Sequence, residues 1–178
     1  LLIRPTIENT EDKPVYMYWW SNIAVDETPY TRVIVPCTTS FRCAYEEGNY
    51  FLGNADIPVS DGIDVTYATN FNRSRDFFYK IPENEKKWIT AVDKDGYGLI
   101  QMSTPELLGR KLFAWGEGTG GKHWNEWLSD NNKKYIEIQA GLMKTQLEHF
   151  LMEGKTAISW TEGYAAYQGE PDVLHGGN

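Results

Sequence analysis

Apolar and polar residues alternate with a period of two along most of this chain, and helix-period segments are nearly absent. Successive side chains of a strand point to opposite faces of a sheet, so this alternation predicts β-structure almost throughout. Residues 14–21 (PVYMYWWS) are dense in strand-forming types, and 31–36 (TRVIVP) and 41–45 (FRCAY) follow across a short polar turn. Residues 87–92 and 98–103 bracket Asp93-Lys94-Asp95-Gly96, a hairpin turn. Further strands are predicted over 111–115, 135–142 and 156–164. Residues 47–64 are rich in Gly, Asn, Asp and Pro and read as a long functional loop. Gly116 to Gly121 reads as a glycine-rich loop, followed by a single helical turn at 123–128. Two packed antiparallel sheets, an all-β sandwich, are the natural architecture. The domain takes residues 1–167, and 168–178 reads as a linker-like tail.

Composition narrows the function classes. With 178 residues the chain suits one domain with a sizeable core. The formal net charge of -8, with scattered basic residues, argues against nucleic acid and against anionic lipid. No apolar run approaches the length of a membrane span. Seven Trp and eleven Tyr suit a β-rich core, and a few could line a site, because aromatic faces pack on the apolar face of a pyranose. Cys37 and Cys43 flank a turn and are placed to face each other across a hairpin. As the only cysteines they read as free, semi-buried thiols, which fits a reducing, cytoplasmic setting. The three His lack metal-ligand spacing and there is no calcium-loop pattern, so neither a metal nor another cofactor is expected. Gly116 to Lys122 imitates the start of a phosphate-binding loop. The next residue is His123 instead of Ser or Thr, and no good helix is expected after it.

Residues 134–141 (KYIEIQAG) carry the most chemistry. Ile136, Ile138 and Ala140 share one face; Tyr135, Glu137 and Gln139 share the other. A carboxylate, an amide and an aromatic ring side by side can grip, and deprotonate, a sugar hydroxyl. An ordinary wet outer face would show the same alternation. Glu137 could also pair with Asp76, Glu148 or Glu162 for glycoside cleavage.

Ile136-Glu137-Ile138-Gln139 resembles the strand bearing the catalytic glutamate of aldose 1-epimerases, the galactose mutarotase-like superfamily. Residues 151–156, running on to Trp160 and Tyr164, resemble its turn and final strand, and residues 7–15 resemble its strand–turn–strand. Tyr18-Trp19-Trp20-Ser21-Asn22, Arg32 to Pro36, Phe113 to Gly116 and Tyr135-Ile136-Glu137 resemble a bacterial branch often attached to TPR repeats. The resemblance covers nearly the whole chain. It implies an antiparallel β-supersandwich truncated on its N-terminal side, with open strand edges that a second copy or attached repeats would cover. It also implies a carbohydrate partner, with Glu137 as base and Tyr18, Trp20, Arg32, Trp115, Trp124 and Gln139 near the sugar. Trp20 stands where the epimerases place their catalytic His, so half of the acid–base pair is missing. His123 is the candidate replacement acid, with His149 behind it; His175 is discounted. A carbohydrate-binding domain is therefore the first reading. An active epimerase or glycoside-processing enzyme and a structural module docked to repeats are the alternatives.

Overall fold

The structure is a computed structural model and describes residues 1–46 and 49–169. Its strands, in chain order, are β1 (Leu2–Ile3), β2 (Thr6–Glu8), β3 (Val15–Met17), β4 (Trp20–Asp26), β5 (Arg32–Ile34), β6 (Thr39–Glu46), β7 (Asn49–Asp56), β8 (Val59–Ser60), β9 (Ile63–Asp64), β10 (Arg75–Tyr79), β11 (Lys87–Val92), β12 (Tyr97–Ser103), β13 (Gly109–Ala114), β14 (Tyr135–Gly141), β15 (Phe150–Met152), β16 (Ala157–Ser159) and β17 (Glu162–Gln168). One α-helix, α1 (Thr119–Leu128), lies between β13 and β14. Six strands form one sheet in the order β4-β14-β13-β10-β6-β7, and five form the other in the order β1-β17-β12-β11-β5. Their pairings are antiparallel. The result is the expected sandwich of two antiparallel sheets.

Alternation decides which side chains meet between the sheets. Phe77, Leu112, Ala114, Ile136 and Ile138 from the six-stranded sheet pack with Val33, Ile89 and Ala91 from the five-stranded one. Burying a large aliphatic side chain contributes about 1.5–3 kcal/mol, so this layer dominates stability. A smaller cluster of Leu107, Ala140, Leu142 and Trp160 closes one end. The outer face of the five-stranded sheet carries Trp88, Ile100, Met102 and Tyr167 around a hollow of about 520 Å³.

A polar node also joins the sheets. The Glu162 carboxylate is fully buried and accepts from Ser21 Oγ (2.6 Å), Tyr164 Oη (2.8 Å), Gln101 Nε2 (3.3 Å) and Trp160 Nε1 (2.9 Å). Burial opposes its ionisation, but the donors from Ser21, Trp160 and Tyr164 outweigh it and hold its pKa below the ordinary range. Arg110 is fully buried nearby and donates to the carbonyls of Leu107, Gly109 and Lys87 and to Ser103 Oγ. Burial lowers its pKa to about 10, against the pull of Glu162.

Several local expectations are corrected. Residues 47–64 are no long loop: β7 and the β8–β9 hairpin occupy most of them. Ala55 and Ile57 are buried there, while Asn54 and Asp56 alternate with them on the exposed face. Residues 14–21 form two strands, because the chain breaks at Tyr18-Trp19 and Trp19 turns its ring onto Trp160 (5.2 Å). Residues 156–164 break likewise at buried Trp160. A ten-residue helix does follow the glycine loop. Cys37 and Cys43 are not bonded to each other and do not face each other across a hairpin: Cys43 lies opposite Leu52 and Asp76. Tail residues 170–178, with His175, lie outside the described residues; Gln168, assigned to the tail, ends β17.

Candidate functional site

The face of the six-stranded sheet turned away from the core carries the polar side chains of β14. Register assembles it. Glu137 lies between Ala24 and Phe113, Gln139 between Asn22 and Lys111, and Gly141 between Trp20 and Gly109. Asn22 Nδ2 donates to Glu137 Oε2 at 2.6 Å, and Gln139 Nε2 donates to the same oxygen at 3.0 Å. Glu137 Oε1 has no protein donor among the described residues. Gln139 is buried and accepts from Gln146 Nε2 at 2.9 Å. Gln146 in turn accepts from Lys111 Nζ at 2.6 Å, and Lys111 is ion-paired with Asp76 at 2.5 Å.

Beside Glu137 stands an aromatic group. Trp115 packs edge-on against Phe113 (4.6 Å) and Tyr135 (6.1 Å), and Trp124 of α1 stacks on it at 6.1 Å with 21° between planes. Trp127 continues the row 5.3 Å from Trp124. Trp124 and Trp127 are exposed, so their outer surfaces are open to a ligand. An open groove of about 600 Å³ runs past this group, lined by Asn22, Asp26, Asp130, Lys133, Tyr135 and Glu137 among others. That volume lies within the range of small-molecule sites.

The sequence-predicted residues divide clearly. Glu137 lines the groove; Gln139 bonds to it from beneath, and Trp115 and Trp124 reach the groove only through Tyr135, on which Trp115 packs. Trp20 is on the same face but four residues along β4 from Ala24, about 13 Å at strand spacing. His123 is exposed on α1, one residue before Trp124. Tyr18 lies between β3 and β4 with its ring 6.0 Å from that of His149. Arg32 is in the other sheet, against Thr66 (3.3 Å), Asp64 (3.9 Å) and the Tyr67 ring. Among the acids considered with Glu137, Asp76 pairs with Lys111, Glu148 is engaged by Thr145, and Glu162 lies between the sheets. Sequence reasoning missed Asn22, Lys111 and Gln146. The Lys111-x-Phe113-x-Trp115 alternation put Lys111 on the right face, but no local signal identified its partners.

Comparison with known proteins bears on the fold. Residues 7–168 match the model of a family described as Domain of unknown function (DUF5107). A TPR-domain containing protein from Parabacteroides distasonis superposes with a TM-score of 0.78 at 20% identity, over 97% of this chain and 28% of that one. A galactose mutarotase-like protein from Clostridium acetobutylicum gives 0.57 at 11% identity, over 94% of this chain and 52% of that one. A candidate aldose 1-epimerase from Escherichia coli K12 gives 0.60 at 7% identity, over 94% and 55%. The chain thus spans about half the length of the last two and under a third of the first. Among the described residues no helix is long and apolar enough to cross a membrane.

Proposed function

Because the chain belongs to the DUF5107 family, and its mutarotase-like sandwich holds a groove beside Glu137, we propose that it is a carbohydrate-binding domain. One observation carries the reading: both amide hydrogen bonds converge on Glu137 Oε2, which leaves Oε1 for a ligand hydroxyl in a groove walled by Tyr135. A pyranose can place a hydroxyl on that oxygen and its apolar face on the Tyr135 ring. Epimerisation needs an acid as well as a base. The groove lining holds no imidazole, so the acid of an enzymatic alternative would have to come from Asp26, Asp130, Lys133 or Tyr135 beside Glu137. The TPR-domain relative supports the further proposal that this domain works beside attached helical repeats.

Titration with a panel of aldoses and oligosaccharides, followed by tryptophan fluorescence, tests the site. Millimolar binding, about -4 kcal/mol, is expected, since each sugar hydrogen bond nets only about 1 kcal/mol. Glu137→Gln should weaken it by about ten-fold or more, the worth of a bond to a charged acceptor. A flat response across the panel from folded protein would overturn the reading. Polarimetry on the same samples tests the enzymatic alternative, which predicts mutarotation abolished by Glu137→Gln.

A further inference from the structure

We propose that Lys111 and Gln146 are positioning residues that fix which end of the Gln139 amide faces Glu137. The proposal rests on the sugar-binding reading of the Glu137 groove. A glutamine amide can meet a neighbour with either its carbonyl or its NH2, and nothing in Gln139 itself selects one. The selection is imposed from both ends, and Lys111 and Gln146 supply the far one. Lys111 is buried, ion-paired with Asp76 and close to the rings of Phe78 (5.3 Å) and Phe113 (5.4 Å). An ammonium only donates, so Gln146 must turn its carbonyl towards Lys111. That leaves the Gln146 NH2 for Gln139, which must answer with its carbonyl. The Gln139 NH2 is then directed to Glu137 Oε2. A carboxylate only accepts, so a donor-only group at one end and an acceptor-only group at the other permit a single orientation of both amides. Asn22 reinforces it from the other side. Chains of this kind polarise along their length, and here the positive end is remote from the groove. The carboxylate is thereby held with Oε1 presented to the ligand.

Gln146→Glu separates this role from a merely structural one. The substitution is nearly isosteric and gives Lys111 a charged acceptor, so a structural role predicts an equal or higher Tm and unchanged sugar affinity. The relay predicts otherwise. The introduced carboxylate cannot donate, so Gln139 turns its NH2 towards position 146 and presents its carbonyl to Glu137, repelling it. Two readouts are needed. In sugar-free protein, NMR of the Gln139 side-chain amide should show slowly exchanging protons near Glu137, lost in Gln146→Glu. In titration, sugar affinity should fall by about ten-fold at undiminished Tm, as for loss of a charge-assisted bond. Lys111→Arg, which keeps a donor facing Gln146, should retain both signals. An unchanged Gln139 amide in Gln146→Glu would overturn the relay. A shifted amide with wild-type affinity would overturn its positioning role. Wild-type protein that binds no sugar would instead overturn the groove reading, and the role with it, while the NMR result still decides the hydrogen-bond order.

Discussion

The indole of Trp20 lies over two glycines. A Cβ at Gly141 would fall 2.2 Å from Trp20 Cε2, and one at Gly109 would fall 2.6 Å from Trp20 Cη2 and 2.2 Å from the Met143 carbonyl. The ring is then met edge-on by Phe78 at 5.8 Å. Gly141→Ala should force the indole off the sheet and destabilise the fold by about 1–3 kcal/mol, the usual cost of overpacking. Thermal unfolding should show a Tm lower by several degrees, and the tryptophan emission should shift. Trp20 also marks a boundary of what residues alone reveal. That it lies on a strand was legible in residues 14–21. Its seat was not, because Gly141 lies over a hundred positions away and only the β4–β14 register brings it beneath the ring. Glu137 and Gln139 were legible for the opposite reason: their facing follows from alternation with Ile136 and Ile138 on one strand.

At the scale of elements, α1 was the hardest to foresee. Its sequence, TGGKHWNEWL, opens with two glycines that are costly in a helix, so propensity supports only a turn. Tertiary contacts supply the rest: Trp124 stacks on Trp115, Asn125 is buried, and Ser129 Oγ donates to the Asn125 carbonyl. The loop before the helix is tied to the start of β14 by the Glu117–Lys134 pair at 2.5 Å. Glu27, just after β4, is buried close by. Burial, then the Glu117 charge, raise its pKa to about 7 against the pull of Lys134. Between the ordinary value near 4.5 and about 7, the folded chain keeps this proton and the unfolded chain loses it. Stability from Glu27 is therefore complete below that window and is lost as pH rises through it. The Tm should fall between pH 5 and pH 8 in low-salt buffer, and Glu27→Gln should flatten that slope. A wild-type slope that survives the substitution would assign the effect elsewhere. Glu162, with its pKa held low, acts with the opposite sign and only in acid, so the two contributions are separable.

For the molecule as a whole, two sheets with a shared apolar layer could be read from period-two patterning, because core strands such as β11 and β14 carry that signal locally. The assignment of strands to sheets could not, since β4–β14, β1–β17 and β5–β11 join segments distant in sequence. The continuous strands expected at 14–21 and 156–164 failed for a related reason: each breaks where a tryptophan enters the smaller core cluster. Those same breaks bring Glu162 to Ser21. Ser21 and Asn22 are adjacent on β4, an edge strand whose sheet partner among the described residues is β14. Asn22 holds the groove carboxylate, and Ser21 is latched by Glu162 of the opposite sheet. The freedom of β4 to sway is thus restrained from the far side of the sandwich and, on the proposed sugar-binding reading, so is the entropy a ligand must remove when it docks. Ser21→Ala, which removes no groove contact, should weaken sugar binding by a few-fold, while amide exchange along β4 quickens relative to β13. Unaltered affinity with quickened exchange would mean that the groove tolerates a moving wall; if the loss appears, part of the recognition is stiffness supplied by a sheet the ligand never meets.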